Sequence, residues 1–170
     1  MTPQPGDLVL CHSKKGLFAR LIRFGQWLRP SWRPYRYWNH AAIVTGSGID
    51  PHGRDARVVQ MGRKCSRTTL GTLMDDKVIE VRPCPAGVDR SRAVTYAVEQ
   101  LGIDYSVMTI ISIALSLLTP KEIRFDFRRH GDALICSALV ARAWEHGGWD
   151  CPSDPFQATP AELAMWVKAG

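Results

Sequence analysis

Asn39-His40-Ala41-Ala42-Ile43-Val44 reads as a β-strand that ends at the turn Gly46-Ser47-Gly48, and it carries the first of two residues that decide how this chain is understood. Strand side chains alternate, so His40, Ala42 and Val44 share one face, and the small neighbours leave room for an imidazole to lean toward a facing helix. The second stretch is Cys136-Ser137-Ala138-Leu139-Val140, an apolar helix that opens on a cysteine. A thiol becomes nucleophilic as the thiolate, which a nearby imidazole and the unpaired amides of a helix N-terminus both favour. A histidine in a strand is more often structural. The combination with Cys136 points to a cysteine hydrolase whose histidine comes first, with the thiol pKa expected to be lowered.

Working outward from these stretches, Asp7 to Cys11 reads as a short strand. A helical pattern follows Gly16, with Leu17, Phe18, Leu21, Ile22 and Leu28 on one face. Pro30 and Pro34 break it, and an aromatic loop from Tyr35 to Trp38 leads into the histidine strand. Arg57 to Met61 and Lys77 to Val81 read as two further strands, so the sheet is concentrated in the first half. After Pro83 and Pro85, Asp89 caps a helix through Val94, Val98 and Leu101 that Gly102 ends. Val107 to Leu118 reads as a buried helix stopped by Pro120. The cysteine helix terminates at Gly147-Gly148, and Thr159-Pro160-Ala161-Glu162 has the form of a capping box. This places the chain in the α+β class as one domain over residues 1–170.

The 170 residues, 45% hydrophobic and 22% charged, suit a folded globular domain and argue against disorder. Five cysteines, Cys11, Cys65, Cys84, Cys136 and Cys151, do not suit a small disulfide-stapled scaffold, and a reducing compartment is expected. The first residues lack the positive and apolar regions of a secretory signal. The apolar run Val107 to Leu118 falls short of the roughly 20 residues that span a bilayer.

The net charge of +6 is unevenly distributed. No acid lies between Asp7 and Asp50, where Lys14, Lys15, Arg20, Arg23, Arg29, Arg33 and Arg36 accumulate among Phe18, Phe24, Trp27, Trp32, Tyr35, Tyr37 and Trp38. Such a mixture suits an anionic polymer or a membrane surface, with a solvated rim over core aromatics as the plainer reading. No nucleic-acid motif accompanies it.

The other histidines and cysteines have simpler explanations. Cys11 and His12 are adjacent and point to opposite strand faces, and Cys65 and Cys84 lack companions at metal-ligand spacing, so neither metal nor cofactor is expected. His130 is a rival base in a charged segment, and His146 suits a partner for the helix C-terminal dipole.

Taken in order, Gly6-Asp7-Leu8-Val9-Leu10, Trp38-Asn39-His40-Ala41-Ala42-Ile43-Val44, Val58-Val59-Gln60-Met61, Leu134-Ile135-Cys136-Ser137-Ala138-Leu139-Val140 and Thr159-Pro160-Ala161-Glu162-Leu163 resemble the circularly permuted branch of the NlpC/P60 papain-like superfamily, and within it the YiiX/YaeF-like permuted amidases. The resemblance implies a small antiparallel sheet packed against helices that include the cysteine helix. It implies Cys136 as nucleophile, His40 as general base, and Gln60 as the polar residue that orients the imidazole. Members of the family commonly carry glutamate or histidine at that place. Glutamine accepts the imidazole N–H but gives imidazolium no charge stabilisation. Tyr37 is a candidate for offering a hydroxyl to the oxyanion, although a tyrosine in such a loop is more often a packing residue. The implied substrates are peptide or acyl amides, with cell-wall peptide amides (peptidoglycan) favoured and a lipid amidase or acyltransferase at a membrane surface as the alternative, and the implied setting is bacterial or phage, cytoplasmic or virion-associated. A non-catalytic binding module that kept the fold is the reading from another class, and Gln60 is what supports it.

Overall fold

The computed structural model describes residues 2–13, 17–50, 52–104 and 134–167. Five antiparallel strands form one sheet in the order β4-β3-β2-β1-β5, from β1 (Leu8–His12), β2 (His40–Gly46), β3 (Arg57–Met61), β4 (Cys65–Thr69) and β5 (Val78–Arg82). Helix α1 (Leu17–Leu28) and a 3-10 turn (Pro30–Tyr35) join β1 to β2. Helix α2 (Leu70–Asp76) joins β4 to β5, and α3 (Arg90–Glu99), α4 (Cys136–His146) and α5 (Pro160–Trp166) follow the sheet. The architecture is α+β. The expected helix over Val107 to Leu118, and the rival base His130, lie outside the described residues.

Burial follows the register. Leu8, Leu10, Ala41, Ile43, Val59 and Met61 line one sheet face and share a core with Ala93 and Ala97 of α3, most of α4, and Leu163 and Ala164 of α5. Val9, Cys11, Ala42, Val44 and Val58 line the other face, covered by Leu70 and Leu73 of α2. With both faces covered, β1 is buried at all five positions, which is why Leu-Val-Leu-Cys-His carries no exposed polar alternation. Strand β4 is the sheet edge; Ser66 and Arg67 are exposed there, and its polar sequence gave no strand signal. Pro30 and Pro34, expected to break the helix, lie in a segment Pro30–Tyr35 that forms 3-10 turns, with Pro30 at its start, where the missing N–H costs nothing.

Polar bonds join the layers. Gly6, at φ +91°, turns the chain so that its N–H donates to the Val44 carbonyl at 2.8 Å, and its own carbonyl accepts the indole N–H of the fully buried Trp144 at 3.0 Å. Arg90 on α3 pairs with the buried Asp7 at 2.8 Å. Arg82 at the end of β5 donates to the carbonyls of Ala164 and Val167, satisfying free carbonyls at the end of α5. At its other end, α5 has the expected capping box: Thr159 Oγ1 accepts from the Glu162 N–H and the Glu162 carboxylate accepts from the Thr159 N–H. Among the described residues, no helix is long and apolar enough to cross a membrane.

Candidate active site

Two elements carry the candidate residues. Cys136 is the first residue of α4, whose preceding residue, Ile135, is extended and offers no side-chain cap, so the opening amides of the helix remain available. His40 is the first residue of β2. The thiol lies beside the backbone N–H of Ala41, the residue after His40, and the amides of Ser137 and of Cys136 itself also favour its charged form. The Ser137 hydroxyl donates to the Ala158 carbonyl at 2.6 Å, which pins the first turn of α4 to the segment leading into α5.

The placement of α4 differs from the alternation argument. Ala42 and Val44 belong to the face covered by α2, whereas α4 packs on the face of Ala41 and Ile43. The helix that covers the His40-Ala42-Val44 side of the strand is therefore α2, and α4 lies on the other side. What links Cys136 to His40 is adjacency along the strand: the thiol lies against the amide of Ala41, the residue that follows the histidine.

His40 Nε2 lies 2.9 Å from Gln60 Oε1. The amide oxygen can only accept, so Nε2 carries the proton and Nδ1 holds the basic lone pair. Gln60 is directly opposite Ala42 across the β2–β3 pair, on the diagonal from His40, and reaches it along one sheet face. Thus Gln60 occupies the imidazole-orienting place expected from the sequence.

Burial favours the neutral form of both groups. Burial lowers the His40 pKa from 6.5 to about 4; the positive charge of Lys77 adds to this, and the bond to Gln60 opposes it. Burial also raises the Cys136 thiol above its ordinary value, against the lowering influence of the Ala41, Ser137 and Cys136 amides. This corrects the expectation of a lowered thiol pKa: desolvation of a cysteine that is only 3% exposed outweighs the helix N-terminus. Cys11, opposite His40 in the β1–β2 register, is pushed up to about 12, mainly by burial.

Tyr37 is engaged by His12 and Trp38. Its ring stacks on His12 at 3.8 Å between centroids, its carbonyl accepts from His12 Nδ1 at 2.7 Å, and it meets Trp38 edge-on. These contacts fit packing and give no support to an oxyanion role. His146, the last residue of α4, stacks on Tyr96 at 4.1 Å. Among the described residues, no group of three or more His, Cys, Asp or Glu side chains is placed to hold a metal ion.

Two buried amides that look like ordinary polar residues in the sequence support the site. Asn39 donates to the Ser13 carbonyl at 2.9 Å and accepts from the Ser13 N–H at 3.1 Å, clamping the residue before His40 to the end of β1. Gln26 of α1 donates to the Trp38 carbonyl at 2.8 Å and accepts from the Ala161 N–H at 2.9 Å. Neither has a local sequence signature, since each partner is distant in the chain. Compared with models of known protein families and with curated proteins, the chain matches none of them.

Proposed function

We propose that the protein is a thiol hydrolase of the amidase or peptidase type, with a permuted papain-like arrangement in which Cys136 is the nucleophile, His40 the general base and Gln60 the orienting residue. The observation that supports this reading is the bond from His40 Nε2 to Gln60 at 2.9 Å, which leaves Nδ1 as the basic atom, while the Cys136 thiol lies against the amide of the following residue, Ala41. With both groups neutral at rest, activation is by general-base transfer and not by a standing ion pair. The Cys136 proton passes to His40 Nδ1 as sulfur bonds to the substrate carbonyl carbon. The carbonyl electron pair moves to oxygen, which the N–H of Cys136 at the helix start is positioned to stabilise. The amine leaves with the proton from His40, giving a thioester. Water then adds with His40 again as base, and collapse releases the acid and restores the thiol.

Peptide amides of the bacterial cell wall are the substrate class proposed first. The test is incubation with purified muropeptides, reading released amine and an acyl adduct on Cys136 by intact mass. Turnover with an adduct that maps to Cys136 is expected, and turnover undiminished in Cys136→Ala would overturn the reading. A second reading, a binding module that retained the fold, is favoured by the uncharged Gln60 and the neutral pair. It predicts muropeptide binding with no adduct under any condition.

A further inference from the structure

The outward face of α1 is built unlike a solvated rim. Arg20, Arg23, Phe24 and Trp27 stand at i, i+3, i+4 and i+7, so they form one stripe along the helix. With Arg36 they line an open recess of about 510 Å³. Phe24 is 57% exposed and Trp27 42%, with their rings 6.2 Å apart, while Gln26 on the opposite side of the helix is buried. The apolar side chains are thus on the side where a surface helix normally carries only polar residues.

The charges on this face lack local neutralisation. Among the described residues Arg20, Arg23, Arg33 and Arg36 form no ion pair, and the sequence supplies no acid from residue 8 to residue 49. Arg33 instead lies over the Trp27 ring at 5.2 Å, and Arg29 over Trp32 at 5.8 Å. We propose that this face docks the protein on an anionic phospholipid surface, with the guanidinium groups on lipid phosphates and Phe24 and Trp27 among the headgroups.

Charge complementarity calls for an anionic partner, and guanidinium groups match phosphate oxygens in bidentate fashion. The exposed aromatics select a bilayer among anionic partners, because an interfacial layer takes up both the rings and the charges along one stripe. The recess is wide open, as contact with a broad surface requires. Gln26 also ties α1 to the Trp38 carbonyl, two residues before His40, so docking through α1 would fix the orientation of the histidine strand relative to the membrane. The proposal does not rest on thiol chemistry, and Cys136→Ala is expected to dock as the unaltered protein does.

The test is flotation of the purified chain with phosphatidylcholine vesicles, with and without phosphatidylglycerol, at low and high salt. Flotation is expected with the anionic vesicles at low salt, weakened by salt and absent with neutral vesicles. Arg20→Glu with Arg23→Glu should weaken binding about tenfold or more. Phe24→Ser with Trp27→Ser should also release the protein, with folding checked by circular dichroism; were that pair to misfold, the arginine pair and the salt dependence still decide. Failure to float at low salt, or flotation that survives both pairs of substitutions, would overturn the proposal. Binding to an oligonucleotide or a soluble polyphosphate without flotation would overturn it too, and would assign the face to a polymer.

Discussion

His40 donates from Nε2 to Gln60 Oε1 at 2.9 Å, across two neighbouring antiparallel strands and two residues off direct register. The bond sets the imidazole tautomer without supplying negative charge. Gln60→Ala is therefore expected to lower turnover less than Cys136→Ala or His40→Ala, each of which should abolish it with the fold retained. A Gln60→Glu substitution should raise the His40 pKa and move the acid limb of the rate profile to higher pH. Muropeptide turnover by the two Gln60 variants across pH checks both statements. An unmoved acid limb in Gln60→Glu would show that the residue does not tune the proposed base, His40.

Alkylation reads the thiol directly. Burial holds the Cys136 pKa above 9.0, so the thiolate fraction falls steadily as pH falls below that value. Iodoacetamide labelling of Cys136 should be slow in mildly acidic buffer and accelerate toward alkaline pH, followed by tryptic mapping against Cys11, Cys65, Cys84 and Cys151. Rapid labelling at mildly acidic pH that disappears in His40→Ala would establish a thiolate–imidazolium pair and contradict the neutral pair described above.

The same burial has a consequence for stability. His40 stays neutral in the folded protein down to about pH 4, while in the unfolded chain it takes a proton near 6.5. The depressed pKa therefore contributes full stability above 6.5 that is lost as pH falls toward 4, by no more than about 3 kcal/mol. Urea denaturation at several pH values should show this decline, and His40→Leu should remove the part that belongs to this window. An identical pH dependence in the variant would mean that His40 is solvated enough to titrate normally.

Much of the frame is legible in the sequence because its signals are local. The apolar run after His40, the Asp89 cap and the Thr159 capping box each act within one turn or strand, and each forms as read. The strand Cys65–Thr69 escaped because it is an edge strand on which only Cys65 is buried, so it needs no hydrophobic alternation. The side of the sheet that meets α4 could not be read from β2 alone, since Ala41-Ala42-Ile43-Val44 is apolar on both faces. The thiol pKa was misjudged for a related reason: the helix start is visible in sequence, whereas the packing that desolvates Cys136 comes from segments far along the chain.

Gln26 shows how such distant packing bears on the site. It is 1% exposed, its amide N–H groups serve the carbonyls of Trp38 and Arg36, and its oxygen accepts the Ala161 N–H in the first turn of α5. Gln26→Leu keeps the volume but leaves the Trp38 carbonyl and the Ala161 amide without these partners in a buried setting. The expected loss is about 2 to 4 kcal/mol of stability. Because Trp38 lies two residues before His40, turnover should also fall at temperatures where the variant remains folded. Gln26→Glu separates the two contributions: its carboxylate can still accept from Ala161 but cannot donate to Trp38 when ionised. A variant Gln26→Glu that keeps full stability while losing activity would assign the Trp38 bond to placing His40. Full activity in Gln26→Leu, measured below its unfolding transition, would show that the strand holds its histidine without help from α1.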